Sequence, residues 1–466
     1  MCFVSDSHWT CRTGAGYSDI YGGIVSLAAW LFPGTNSCGR PDFFDFLLGI
    51  PGNTRPGFGV GGVIKLMQNG DSLPLTGIRV LEFCHTIMGP TAGLLLADLG
   101  AEVIKIEPAP DGDKTRRLSG FAAGFFGTFN RNKKSFGIDL KNPRGRELVI
   151  RLAETSDVVM ENFAPGTMDR LGCGYEVLSA NSPGLIFCSL KGFLSGPYEH
   201  RPALDEVVQF MGGLAYMTGP PGRPLRAGAS VIDIMGGTFA VVGILAALQE
   251  RQQTGKGQMV RSSLFESTTF LMGQHMAGQA VTGRPARPMP DREGAWGIYE
   301  PFATADDDQV FIGITSDNHW HRFCDYFNRL DLKENKAYTT NEDRVAQRPR
   351  LLGIVAEIVK PYTKAELVEI FDRINIPFAP VVRPDELIDD PHLTEGGQLI
   401  DVELMEGLVT RLPKLPIDIG DHDVGAIRCQ PPTPGQHTQE ILQSLGVTED
   451  EIDSLSELGV ILRNAN

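Results

Sequence analysis

The residues with the clearest chemical potential are the cations between Lys114 and Arg151. Ten lysines and arginines stand there against two acids, Asp139 and Glu147, a local excess of eight positive charges. Such an excess suits a small polyanion, for example a cofactor that carries a nucleotide and its phosphates, although some of these cations are expected to lie on a solvated face. The chain as a whole has 466 residues and a formal charge of −15, and it contains no RNA-binding pattern. We therefore expect no nucleic-acid partner.

Two aspartates could supply a reactive carboxylate. Asp205 and Asp233 stand at the start of two helical patterns, Leu204–Met217 and Ile232–Gln252. A carboxylate at such a position can act as a nucleophile or base, but it equally suits the capping of a first helical turn. The sequence alone leaves both roles open for both residues.

Other reactive side chains favour structural roles. Cys84 and His85 are adjacent at a predicted strand end, where neighbouring side chains point to opposite faces. His319 and His321 could bind a metal if extended, but no third ligand is evident, and no metal site is predicted. The eight cysteines include no Cys-x-x-Cys pair, which favours a reducing, cytoplasmic setting.

Alternating strands and helices from Gly77 onward position these residues. Ile78–Phe83 and Val103–Ile106 are predicted strands, and an apolar helix between them ends near Leu99. This βαβ unit favours a parallel sheet with ligands at the carboxyl ends of its strands. Further predicted elements are a helix over Pro143–Thr155 and strands over Asp157–Glu161 and Gly184–Leu190. The fold class is therefore α/β, with a smaller α+β lobe after the large domain.

Composition divides the chain into segments. We predict an N-terminal extension over 1–70, a large α/β domain over 71–282, a linker over 283–295, a small domain over 296–391, and a C-terminal segment over 392–466 that returns to the large domain. Gly57-Phe58-Gly59-Val60-Gly61-Gly62 in the extension is expected to be a chance match to a dinucleotide fingerprint, since no strand precedes it. The charge-free stretch Ile234–Leu248 is shorter than the roughly 20 residues that span a bilayer. We interpret it as a buried core helix and expect no membrane association.

Several motifs in a fixed order resemble one family. They are Leu81-Glu82-Phe83, Gly89-Pro90-Thr91-Ala92-Gly93, the run from Leu96 to Glu107, Asn130-Arg131-Asn132-Lys133-Lys134-Ser135, the run from Asp157 to Gly166, and Thr254-Gly255-Lys256-Gly257-Gln258. From about Leu73 to the C-terminus the chain resembles the class III CoA-transferases, also called CaiB/BaiF, which include formyl-CoA transferase, carnitine CoA-transferase and α-methylacyl-CoA racemase. The resemblance implies a Rossmann-like large domain with a parallel sheet, a small domain, and a homodimer of two interlocked chains.

The same resemblance implies a binding site for coenzyme A. Its residues would be Ile87, Met88, Ile138, Asp139, Leu140, Lys141, Asn162, Phe163, Arg170, Lys191, Gly192, Phe193 and Leu194. The residue types agree in part, because Lys141 and Arg170 can neutralise phosphate and Phe163 can pack on adenine. An acyl-CoA donor and a small carboxylic acid would be the substrates, and no permanently bound cofactor is expected.

The resemblance also implies a mechanism. Transferases of this family use an aspartate that attacks the acyl-CoA thioester and passes through an aspartyl anhydride and an aspartyl-CoA thioester. The resemblance suggests the loop after Thr218-Gly219 for that aspartate, but here the loop as far as Arg226 contains no carboxylate. We therefore predict Asp205 as the nucleophile, with Asp233 as the second candidate.

Two alternatives remain. One is an acyl-CoA racemase that moves a proton α to the thioester, for which Asp233 corresponds to the family's acid/base aspartate but Leu204 replaces its histidine. The other is a homologue that binds acyl-CoA without catalysis.

Overall fold

The structure, a computed structural model, describes residues 72–292 and 294–464. The predicted N-terminal extension and the Gly57–Gly62 motif lie outside the described residues. The domain boundaries drawn from composition stay predictions.

The described residues form twelve strands. In chain order these are β1 (Arg79–Phe83), β2 (Glu102–Pro108), β3 (Lys133–Ile138), β4 (Val158–Glu161), β5 (Ile186–Lys191), β6 (Met259–Ser263), β7 (Ile298–Ala303), β8 (Gln309–Ile314), β9 (Phe378–Pro380), β10 (Leu399–Met405), β11 (Leu408–Pro413) and β12 (Ile461–Leu462). Seven of them form one sheet in the order β12-β3-β2-β1-β4-β5-β6. All neighbours pair in parallel except β12, which runs antiparallel to β3. The order 3-2-1-4-5-6 is that of doubly wound nucleotide-binding sheets.

The α-helices connect and cover these strands. In chain order they are α1 (Met88–Asp98), α2 (Phe125–Phe129), α3 (Pro143–Ala153), α4 (Thr167–Arg170), α5 (Tyr175–Ser179), α6 (Asp205–Met211), α7 (Leu214–Thr218), α8 (Val231–Thr254), α9 (Leu264–Thr282), α10 (Asp317–Tyr326), α11 (Leu330–Lys333), α12 (Asn341–Ala346), α13 (Arg348–Val359), α14 (Lys364–Arg373), α15 (Pro391–Glu395), α16 (Thr438–Ser444) and α17 (Glu449–Glu457).

The large sheet is buried on both faces. Alternate residues of β1 point in opposite directions, so that Leu81 joins one apolar cluster and Val80 the other. Residues of α3, α16 and α17 complete the first cluster, and residues of α1 and α8 complete the second. Apolar residues therefore point to both faces of the central strands, although β2 and β3 also contain buried charged residues such as Lys105 and Lys133.

Two smaller antiparallel sheets follow in the chain. Strands β7, β8 and β9 form one of them, and its core contains Trp320, Phe323 and Phe371 from α10 and α14. Strands β10 and β11 form a separate two-stranded sheet. The structure therefore confirms a mixed α/β fold that combines a large, mainly parallel sheet with small antiparallel sheets.

Most predicted elements of the large sheet are present. One correction is that Leu204–Met217 is two helices, α6 and α7, because Gly213 adopts a left-handed conformation (φ +89°) between them. Strand β12 gave no signal in the sequence because it has only two residues. His319 and His321 lie on α10 and so lack the extended backbone that a metal-binding pair at this spacing would need.

Helix α8 is only partly the buried core helix that its composition predicts. Ile232, Ala240 and Ile244 face the core, whereas Phe239 and Val242 are exposed. Of the helices in the described ranges, α8 is the one long and apolar enough to cross a membrane by length and composition, a test that core helices of soluble proteins also pass. Its second apolar face has no cover within the described part of one chain.

Candidate active site

The site lies where the strand order of the large sheet reverses. Strands β1 and β4 are neighbours, and their following helices lie on opposite faces of the sheet, which opens a crevice at their carboxyl ends. His85 follows β1 and Asn162 follows β4. The backbone N–H of His85 donates to Asn162 Oδ1 (3.0 Å), and Asn162 Nδ2 donates to the carbonyl of His85 (2.8 Å). These two bonds join the loops across the crevice.

Two cavities meet at this junction. The outer cavity, of about 480 Å³, is lined by Lys114, Arg117, the predicted segment Ile138–Lys141 and other residues after β2. The inner cavity, of about 330 Å³, is lined by residues that include Ile87, Met88, Asn162, Lys191, Gly192, Leu204 and Asp233. His85 and Phe163 line both, and their rings stack with centroids 5.9 Å apart. The two cavities are therefore adjacent, with exposed cations in the lining of the outer one and Asp233 in the lining of the inner one.

Buried ion pairs support the loop that carries His85 to Met88. Lys105 Nζ lies 3.2 Å from Glu82 and 3.0 Å from Asp113, and it donates to the carbonyl of Cys84 (2.6 Å). Burial opposes its charge, but Glu82 and Asp113 hold the pKa of Lys105 above its usual value. Lys133 Nζ lies 2.7 Å from the same Glu82 carboxylate. Burial lowers the pKa of Lys133 to about 8.

Part of the positive segment therefore has a structural role. Its paired cations are Arg116 with Glu107 (2.6 Å), Arg131 with Asp98 (2.6 Å), Lys133 with Glu82 (2.7 Å) and Lys134 with Glu102 (2.9 Å). Lys114, Arg117 and Lys141 remain exposed at the outer cavity. The exposed positive charge is therefore smaller than the local count of cations predicts, because acids from other parts of the chain neutralise some of them.

Phe163 is held by charged neighbours. Its backbone N–H donates to Glu161 (3.0 Å), and its carbonyl accepts a bond from Lys191 Nζ (2.7 Å). Lys191 also pairs with Glu161 at 2.6 Å. Lys191 thus lines the site, but its ammonium group fixes the loop that presents the phenyl ring.

Asp205 is buried and fully bonded. Its exposed fraction is 7%, and it lies outside the lining of both cavities. One oxygen accepts the backbone N–H groups of Ile232 (2.9 Å) and Asp233 (3.1 Å), and the other accepts Gln209 Nε2 (2.6 Å). Asp205 therefore caps α8, the role that the sequence allowed for Asp233.

Asp233 lies in the first turn of α8 and lines the inner cavity. Burial, then the charge of Asp205, raises the pKa of Asp233 to about 7, and Arg226 opposes the rise. Glycines allow α8 to approach α1 closely, since a Cβ at Gly237 would stand 2.6 Å from the carbonyl oxygen of Met88. This contact holds the Ile87–Met88 loop beside Asp233.

The other predicted site residues are more dispersed. Phe193 and Leu194 line a neighbouring cavity with Lys191. Arg170 is exposed, donates to Thr167 (2.7 Å) and lines neither the outer nor the inner cavity. Among the described residues, no group of three or more His, Cys, Asp or Glu is placed to hold a metal ion.

The sequence favoured a structural role for His85 and a polyanion site in the positive segment that includes Lys114 and Arg117, and all three residues line the outer cavity. A histidine directly after the first strand of a βαβ unit lies at the carboxyl edge of the sheet, where such folds bind ligands. Thr86, beside it, has a left-handed backbone (φ +67°). Such strain in a non-glycine residue is concentrated at functional loops.

Comparison with known proteins agrees with this geometry. A family model described as CoA-transferase family III matches residues 75–438. This chain belongs to CoA-transferase family III. It is therefore an enzyme that transfers CoA. Enzymes of this family use CoA thioesters as substrates.

Two relatives and one solved structure illustrate the similarity within family III. The succinyl-CoA–D-citramalate CoA-transferase of Chloroflexus aurantiacus is 34% identical over 407 residues, covering 83% of this chain and 98% of the relative. The succinate–glutarate CoA-transferase of Agrobacterium fabrum is 32% identical over 390 residues, covering 81% and 96%. The crystal structure of a CaiB/BaiF family protein from Brucella suis matches with a TM-score of 0.73 and 31% identity, covering 80% of this chain and all of that one.

Proposed function

We propose that this family III enzyme moves CoA from an acyl-CoA to a free carboxylic acid, with Asp233 as the nucleophile. The observation that carries the proposal is the position of Asp233 on the inner cavity, which adjoins the outer cavity and its exposed cations. Asp205, the nucleophile that the sequence favoured, is enclosed by donors to both of its oxygens. We propose Asp233 in its place and assign Asp205 a positioning role.

The chemistry that we propose begins with the donor. The ionised carboxylate of Asp233 attacks the thioester carbonyl, and CoA leaves as a thiolate, which gives an aspartyl–acyl anhydride. The thiolate then attacks the aspartyl carbonyl of that anhydride. The donor acid leaves as a carboxylate, and an aspartyl-CoA thioester remains.

The acceptor reverses these steps. Its carboxylate attacks the aspartyl-CoA carbonyl and releases CoA thiolate, and the thiolate attacks the acceptor's acyl carbon in the new anhydride. The products are a new acyl-CoA and free Asp233. The reaction as a whole consumes no water, and no proton has to be exchanged.

We place CoA along the two cavities. Lys114, Arg117 and Lys141 lie where they can neutralise phosphates, and the stacked rings of His85 and Phe163 can contact adenine. Burial lowers the pKa of His85, which favours the neutral ring suited to stacking. The thioester would then lie in the inner cavity near Asp233.

We also propose that the enzyme is a homodimer. The apolar side chains Phe239 and Val242 of α8 and Phe270, Met276 and Val281 of α9 are exposed, with Phe270 and Val281 exposed by 70% and 87%. Phe239 and Phe270 contact each other edge to face, so that both helices belong to one apolar surface. A contiguous surface of this kind is typical of a subunit interface.

A screen of donors and acceptors tests the proposal. Purified enzyme is incubated with an acyl-CoA and a panel of isotopically labelled carboxylic acids, and new acyl-CoA species are identified by mass spectrometry. We expect label to enter acyl-CoA only when donor and acceptor are both present. Exchange of the α-hydrogen with solvent and no CoA transfer would instead support a racemase, and acyl-CoA binding without either reaction would support a non-catalytic homologue.

A further inference from the structure

A third cavity shares Ile87 with the inner cavity. It has about 580 Å³, and its lining includes Phe121, Phe125, Phe129, Arg226, Ser230 and Ile234. Ile87 also lines the inner cavity, and Ile234 follows Asp233 in the chain. The third cavity therefore adjoins the inner cavity, whose lining contains the proposed nucleophile.

The lining of the third cavity combines aromatic and aliphatic side chains with one cation. Phe121 is 82% exposed at its rim and packs edge to face on Phe125, with ring centroids 5.8 Å apart. Arg226 is the cation in the lining. A ligand with a short hydrocarbon chain and a terminal anion would complement both parts.

The guanidinium group of Arg226 has free donors. Its Nε donates to the carbonyl of Ala227 (3.0 Å), but its terminal nitrogens lie 3.8 Å from Asp205 and Glu206. Both distances exceed a hydrogen bond, and no other bond to these nitrogens occurs within the described ranges. Asp205 is already bonded to two backbone N–H groups of α8 and to Gln209. The fork of Arg226 is therefore available for a carboxylate, its preferred partner.

We propose, on the basis of the proposed function, that this third cavity binds the acceptor and selects dicarboxylic acids. One carboxylate of the acceptor reaches Asp233, its methylene chain lies against Ile87 and the phenylalanines, and its distal carboxylate pairs with Arg226. Arg226 is thus a specificity-determining residue and takes no part in bond making.

The test compares two acceptors that differ only at the distal end. Glutarate and pentanoate each have five carbons, but only glutarate carries a second carboxylate. With an acyl-CoA donor that supports transfer, kcat/KM is measured for both acceptors at pH 8.5, where a change in the ionisation of Asp233 contributes little. The ratio of the two kcat/KM values is the readout, because general damage to the enzyme affects both acceptors.

We expect wild-type enzyme to prefer glutarate, and we expect Arg226→Gln to reduce kcat/KM for glutarate by roughly 10- to 100-fold. The value for pentanoate should change by less than about threefold, and Arg226→Lys should restore part of the preference. Arg223→Gln, which removes an exposed cation from the same loop, is the matched control and should leave the ratio unchanged.

Two results would overturn the subsite. They are a wild-type enzyme without preference for glutarate, and an Arg226→Gln variant that loses both acceptors equally. If no donor and acceptor pair supports transfer, the proposed function fails first. Calorimetric titration of glutarate and pentanoate into wild-type enzyme and Arg226→Gln then decides the subsite, since equal binding to both proteins contradicts it.

Discussion

The carboxylate of Asp205 accepts a hydrogen bond from the backbone N–H of Asp233 at 3.1 Å, so one aspartate fixes the helical turn that carries the other. The two carboxylates also interact through their charges, because Asp205 contributes to the raised pKa of Asp233. Through this relationship, a buried acid 28 residues away in sequence raises the pKa of the proposed nucleophile.

The first prediction concerns the pH dependence of the reaction. Asp233 has a pKa of about 7 and must be ionised to attack, so kcat/KM should rise with pH and level off above 7. Asp205→Asn removes the neighbouring negative charge but keeps an oxygen that can cap α8, and it should move the midpoint to lower pH. Glu206→Gln is the control, because Glu206 is exposed and does not contribute to this shift. An unchanged midpoint in Asp205→Asn would contradict the coupling.

The second prediction concerns stability. The folded pKa of Asp233 is above its unfolded value, so the folded state binds the proton more tightly and loses stability as pH rises from about 4 to 7. Asp233→Asn removes this loss. It should raise the free energy of unfolding above pH 7 by roughly 1–3 kcal/mol and change it little at pH 4. Denaturant titrations at both pH values test this prediction. Equal changes in the free energy of unfolding at both pH values would show that ionisation of Asp233 does not destabilise the folded state.

The third prediction concerns CoA phosphates. Lys141 is exposed at the outer cavity, so Lys141→Gln should raise KM for acyl-CoA by about tenfold with little change in kcat. The difference should shrink in high salt, because exposed charges are screened. Lys134→Gln is the matched control, since Lys134 belongs to the same positive segment but pairs with Glu102 and Glu440, each at 2.9 Å. Equal KM changes in both variants would contradict a specific phosphate contact.

The fourth prediction concerns the dimer. Light scattering should give a particle of twice the 50.7 kDa chain mass, and Val242→Glu should reduce the dimer fraction by placing a charge on the apolar surface of α8 and α9. Leu330→Glu is the control, because Leu330 has a similar exposed fraction of 57%, against 58% for Val242, but lies on α11. A monomeric wild-type protein at micromolar concentration would contradict the proposal.

The parallel character of the main sheet could be predicted from local patterns, but its strand order and some other details of the fold depend on contacts that the sequence does not reveal. The succession of strand, helix and strand over Ile78–Ile106 predicted parallel pairing because such a crossover joins parallel neighbours. Strand β12 was not predictable, since two residues form a strand only through pairing with β3. Similarly, Thr448 and Glu451 have the sequence spacing of a capping box, but only half of it forms: Thr448 accepts the N–H of Glu451, whereas the Glu451 side chain pairs with Arg144.

The family resemblance named candidate site residues, and several of them lie at or just after strand ends. Ile138–Lys141, Asn162–Phe163 and Lys191–Gly192 follow β3, β4 and the end of β5, and all lie at the cavities. The roles of Asp205 and Asp233 could not be assigned from sequence. Both begin helices, and only the fold determines which carboxylate is enclosed by donors and which faces the cavity.

The measurement that tests the central claim most directly is the mapping of the covalent intermediate. Enzyme incubated with acyl-CoA alone is trapped with hydroxylamine or borohydride, digested and sequenced by mass spectrometry, with Asp233→Asn and Asp205→Asn treated in parallel. We predict modification at Asp233 in the wild-type protein and in Asp205→Asn, and none in Asp233→Asn. Modification of Asp205, or of any residue in the Asp233→Asn protein, would contradict the account.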